Sequence, residues 1–156
     1  MGLHQVHRLD DAQVAQLVML FQQEWWTRGR TLEETRAIVE HSDVVVGFVE
    51  SGSGRLAAFA RVLTDRVIKA LIFDVMVAAE HRGAGLGRRL MQAVIEHPEL
   101  RHVRHIELYC KSELIPFYEQ FAFTAELGDL HFMRRTATSG EPHVTTRGAG
   151  PAFGLG

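Results

Sequence analysis

The chain has 156 residues, 46% of them hydrophobic, and a net charge of -2. That is one domain's length with material for a core, and no charge excess suited to blanket nucleic-acid binding. A single cysteine, Cys110, excludes an internal disulfide, and no apolar run approaches the length of a membrane span.

The opening MGLHQVHRLDD has no apolar h-region and puts Val6 where a myristoylation signal needs Ser or Thr, so the expected compartment is the reducing cytoplasm. A first strand is expected at 3–8. Asp10, Asp11, Ala12 and Gln13 read as a capping box, after which Val14, Leu17, Val18 and Phe21 recur at helical spacing. Thr31, Leu32, Glu33 and Glu34 form a second box opening a helix to about His41, which leaves 24–30, with Trp25 and Trp26, as a loop between two helices. Val44, Val46 and Phe48 alternate as a strand, SGSG at 51–54 is a hairpin turn, 56–63 pairs back, and 64–66 turns again into 68–77. The result is an antiparallel meander. Leu86, Leu90, Ala93, Val94 and His97 share a helical stripe that Pro98 ends. A strand at 105–109 must then lie parallel to 68–77, because a helix crosses between them. Ser112 is expected to cap a last helix carrying Leu114, Ile115, Tyr118 and Phe121, and 130–135 reads as a closing strand. From 136 the periodicity ends, and 136–156 is expected to be a disordered Gly/Thr/Pro-rich tail.

The stretch EHRGAGLGRRLM at 80–91 sets three glycines and three arginines at a strand-to-helix junction. Such a turn cradles phosphate, because glycine lets amides approach closely and a helix N-terminus favours negative charge. No Gly-Lys pair exists for a P-loop, and a dinucleotide fingerprint from Gly83 and Gly85 would need glycine at Arg88. What remains is R-G-x-G-x-G, Arg82 to Gly87, which resembles the acyl-CoA pyrophosphate loop of the GCN5-related N-acetyltransferase (GNAT) family. The stretch from Tyr109 to Phe123 is similar to that family's second signature, a strand end and a helix bearing F/L-Y-E-x-x-G-F.

The resemblance implies an α+β fold over 1–135, with a mixed, mostly antiparallel sheet containing one parallel pair and the order β-α-α-β-β-β-α-β-α-β-β. It also implies acetyl-CoA as cosubstrate, no metal, and direct attack of a primary amine, small-molecule or peptide, on the thioester. Neither nucleic acid nor membrane is an expected partner, and a homodimer is compatible with it. The rival reading is a non-catalytic acyl-CoA-binding or sensing module. By position, Arg82, Gly83, Ala84, Gly85, Leu86, Gly87 and Arg88 would hold the pyrophosphate, backbone groups of Val75, Met76 and Val77 the pantetheine arm, and Tyr118 the leaving sulfur. Trp25, Trp26 and Arg28 would form one wall of the acceptor site; alternatively the tryptophans pack on the sheet and Arg28 and Arg30 are solvated.

Asp74 is the one acidic residue in the almost uniformly apolar run 68–77, and a buried carboxylate without partners costs several kcal/mol. It is either part of a base relay or a structural carboxylate paired with Arg61. Tyr118 is either the general acid or a core tyrosine. Two positions depart from the family pattern: Lys111 stands where many relatives have asparagine, and Ala122 where glycine is usual. His102 and His105 lack a third ligand at zinc spacing. Cys110, ahead of the Ser112 helix, reads as a small buried hydrophobe whose thiol the helix could acidify.

Overall fold

The computed structural model describes residues 2–137. The expected tail from 138 onward lies outside them. Five strands, β1 (Leu3–Val6), β2 (Val44–Glu50), β3 (Leu56–Thr64), β4 (Lys69–Val77) and β5 (His105–Glu107), form one sheet in chain order. The first four pair antiparallel and β4 pairs β5 in parallel, as the intervening helix requires. The helices are α1 (Asp11–Gln23), α2 (Leu32–Glu40), α3 (Leu86–Ile95) and the short α4 (Ile115–Glu119).

Both expected capping boxes form. Gln13 N–H donates to Asp10 and Asp10 N–H to Gln13 Oε1, while Thr31 and Glu34 reciprocate in the same way. Each cap is worth about 1 kcal/mol and fixes where its helix begins. The sheet then separates two apolar layers, because successive side chains of a strand face opposite ways. Val44, Val46 and Phe48 pack with Leu86, Leu90 and Val94 of α3, whereas Val45 and Val49 pack with Leu17, Leu20 and Phe21 of α1.

Three expectations fail at the C-terminal end. The 130–135 segment forms no strand, and neither strand expected after the last helix is present among the described residues. Leu130, Phe132 and Met133 are exposed, so this stretch lacks the buried face that would set a register. β5 stops at Glu107 rather than 109. Ser112 does not cap α4: it begins a 3-10 turn, Ser112–Leu114, whose N-cap is Lys111 without a side-chain bond.

Ala122 does adopt the left-handed backbone, with φ 65°. Ala122 N–H donates to Glu119 C=O and Phe123 N–H to Tyr118 C=O, the paired bonds by which helices commonly end on glycine. A β-carbon there costs about 1–2 kcal/mol, and glycine's freer unfolded chain returns about 0.4–1 of that. Ala122→Gly is therefore expected to stabilise the protein by about 0.5 kcal/mol, read as a melting temperature unchanged or a degree or two higher; a clear drop would contradict the argument.

Candidate active site

β4 carries the irregularity on which the site depends. Phe59 faces Met76 but Arg61 faces Phe73, so Asp74 and Val75 together oppose the single residue Ala60. This is a β-bulge, and Asp74 takes its left-handed position with φ 55°. The bulge bends β4 where β5 runs out: the parallel ladder holds only Lys69, Ala70 and Leu71 against His105, Ile106 and Glu107. Beyond it the two segments part. The opening is a cavity of about 380 Å³, with Ile72, Phe73, Asp74 and Val75 on one side and Leu108, Tyr109, Cys110 and Lys111 on the other. Trp25, Trp26, Leu114, Tyr118 and Phe132 complete its walls.

Beneath the bulge lies a buried ion cluster. Arg30 Nη1 and Arg61 Nε both donate to Asp74 Oδ2, at 2.8 and 2.7 Å, with all three side chains at most 8% exposed. Arg30 also lies over the Phe21 ring and Arg61 over that of Phe73. A proton delivered to Asp74 would weaken two charge-assisted hydrogen bonds, so the geometry matches the structural carboxylate rather than the base. Arg30 is neither solvated nor a cleft wall. It ties the α1–α2 loop to the bulge.

That loop is set locally by Gln22, whose amide donates to Arg30 C=O and accepts from Gly29 N–H, and by buried Thr27, which donates to Phe21 C=O at 2.7 Å. The tryptophans reach the cleft and meet edge to face, their centroids 6.0 Å apart. Arg28 does not reach it: its Nε donates to Gln22 C=O at 3.2 Å.

After β4 and a 3-10 turn, Ala79–His81, the glycine-rich segment enters α3. Gly83 and Gly85 both have φ 79°, and Gly85 is the N-cap, with no side chain to cap the first amides. Those amides are therefore open to an anion. No atom lies within 4 Å of where a β-carbon would stand on either glycine. Gly87 differs, since a β-carbon there would only touch Phe117 and Val77 at ordinary contact distance. Ala84 is exposed and Leu86 is buried beneath the turn. Arg88 bonds Gln120 Oε1 from an exposed position. Arg82 is committed elsewhere, donating to Val77 C=O at 3.0 Å and pairing with Glu24 at 3.3 Å. Arg89 stacks over Phe48.

Tyr118, 9% exposed, packs against Phe117 and Phe123 and lines the cleft. Burial, with Cys110 nearby, pushes its hydroxyl up to about 12. The ring is core, as one of the two sequence alternatives has it, and it also borders the cavity. Cys110 is exposed rather than buried, and partial burial of its thiol raises rather than lowers its pKa. Met76 is core on the α1 side of the sheet, so only its backbone can serve the cleft.

Tyr109 and Phe132 line the cleft without being candidate site residues in the sequence. Tyr109 borders the cleft with its hydroxyl buried and without a hydrogen-bond partner among the described residues, and burial pushes it up to about 12. Phe132 tilts against it at 5.1 Å. Tyr109 follows directly on β5, but nothing in the sequence tells that the strand has left its ladder there. Lys111 faces the tryptophan wall, its Nζ 5.0 Å from the Trp25 ring.

The cleft, the glycine turn and Tyr118 fit an acyl-CoA chain: uncapped amides for phosphate, an apolar slot between parted strands, and a hydroxyl on the slot wall. Comparison with known proteins agrees. Residues 4–123 match the acetyltransferase (GNAT) family. The chain is 34% identical over 99 residues to serotonin N-acetyltransferase 2 of Oryza sativa subsp. japonica, a chloroplastic protein, covering 62% of this chain and 50% of that one. To an uncharacterized N-acetyltransferase, ycf52-like, of Prochlorococcus marinus it is 31% identical, covering 78% and 67%. The chain spans about half the length of the first curated relatives it matches. Among solved structures, a GNAT-family protein from Xanthomonas campestris pv. campestris superposes with a TM-score of 0.75 at 31% identity, over 88% of this chain and 94% of that one.

Proposed function

The chain belongs to the GNAT acetyltransferase family, and on that footing we propose that it transfers an acetyl group from acetyl-CoA to a primary amine by direct attack on the thioester. By kinship it is an N-acetyltransferase. The observation that carries the proposal is the parting of β4 and β5 over the Asp74 bulge, in a cavity that Tyr118 lines, in a chain whose α3 begins with an uncapped N-terminus.

In this reading the amides of the 83–88 turn hold the pyrophosphate, with Arg88 adding a charged donor. Backbone groups of Val75, Met76 and Val77 hold the pantetheine arm. The amine nitrogen forms its bond to the acetyl carbon as the carbon–sulfur bond breaks. The amine's proton leaves to water, since Asp74 is occupied by two guanidiniums. Sulfur departs as thiolate toward the Tyr118 hydroxyl. No acyl-cysteine step is needed.

Free-thiol release from acetyl-CoA with a panel of amines tests the reading; CoA binding without release from any amine would favour a sensing module instead. The loop assignment has its own test. Arg88→Glu removes a donor and sets an anion against the phosphates, so CoA affinity is expected to fall at least tenfold with the melting temperature little changed. Unchanged affinity by calorimetry would sink the loop assignment.

A further inference from the structure

The cleft walls are rich in aromatic rings, and their charge is lopsided. Six rings border the cavity: Trp25, Trp26, Phe73, Tyr109, Tyr118 and Phe132. Five of them form two groups, the edge-to-face tryptophan pair on the α1–α2 loop, and Phe73, Tyr109 and Phe132 in successive contact at 6.2 and 5.1 Å. Among the described lining residues Asp74 is the sole acid, and it is shared by Arg30 and Arg61, so the cluster behind the wall has a surplus positive charge. Lys111 adds a second, held over the Trp25 face. A polycationic acceptor would meet repulsion from both, with no carboxylate to receive its extra ammonium groups.

From this lining we infer that the acceptor is an aromatic amine bearing a carboxylate, of the aromatic α-amino acid class, and that Lys111 is the residue that selects it. The ring stacks on the tryptophan wall, where flat faces bind flat groups through offset or edge contacts. The carboxylate pairs with the Lys111 ammonium, which leaves the amine as the group that turns inward to react. This inference rests on the acetyl-transfer reading of the same cleft.

The test compares L-phenylalanine with 2-phenylethylamine, which lacks only the carboxylate, and with n-butylamine and spermidine, which lack the ring. Phenylalanine is expected to have the highest kcat/KM, at least tenfold above 2-phenylethylamine. Lys111→Glu is expected to lower the phenylalanine value at least tenfold through KM, and to invert the order of the two aromatic probes. A wild-type preference for spermidine, n-butylamine or 2-phenylethylamine overturns the inference, as does an unchanged order in Lys111→Glu. If no probe releases thiol, the same four are titrated into CoA-saturated protein by calorimetry. Phenylalanine binding that Lys111→Glu abolishes would then uphold the acceptor class while the transfer reading fails. Tighter binding of another probe, or no binding by any, overturns the class.

Discussion

Asp74→Ala is expected to destabilise the protein by about 3–5 kcal/mol, because it leaves two guanidiniums buried without their counter-charge. The backbone adds to the loss. At φ 55° the aspartate already occupies a conformation that alanine tolerates less well, and it persists there because two arginines from other elements fix its carboxylate. For a domain of this size the melting temperature should fall on the order of 10 °C or more. Asp74→Asn, which keeps the shape and one acceptor oxygen, separates structure from catalysis. If Asp74 were the base, the asparagine variant would stay folded, lose most of its kcat, and lose the rise of rate with pH. If it anchors the bulge, the asparagine variant melts early while its folded fraction turns over within about tenfold of the parent. The second outcome is expected, and the first would return Asp74 to the chemistry.

Much of the scaffold is legible in sequence because its causes are local. Asp10 and Gln13, or Thr31 and Glu34, sit three residues apart and need only each other to start a helix. The alternation of Val44, Val46 and Phe48 states which residues share a layer, and the crossover through α3 dictates the parallel pair. The Gly83 and Gly85 turn is legible for the same reason, since a positive φ calls for glycine at those points.

The cleft is different, because it is made by what strands do to one another. No side-chain pattern in 68–77 reveals that two residues face one on β3; only the lone acid, Asp74, hints that something unusual happens there. Arg30 is 44 residues from its partner, so its own loop suggests only an acceptor-site wall or a solvated side chain and not the ion cluster it joins. The 130–135 segment shows the opposite error: a short hydrophobic pattern suggested a strand, but β5 ends at Glu107 and the residues of that segment stay exposed.

Tyr118→Phe is expected to lower kcat about 100-fold while leaving the KM for acetyl-CoA and the melting temperature nearly unchanged. The ring keeps its contacts with Phe117 and Phe123, so packing is conserved and only the hydroxyl is lost. The pKa decides what that hydroxyl can do. Pushed up to about 12, it keeps its proton through the neutral range and is always ready to donate a hydrogen bond. Handing that proton to a thiolate whose thiol titrates near ~8.5 would be uphill by roughly 3.5 units, about 5 kcal/mol. On the proposed mechanism the hydroxyl would therefore act mainly by hydrogen bonding to the departing sulfur, where charge develops, rather than in the ground state. A rise in KM with kcat preserved would mean the hydroxyl only helps bind the cosubstrate. Unchanged constants would reduce Tyr118 to core packing and make Tyr109, the cleft's other buried phenol, the next hydroxyl to remove.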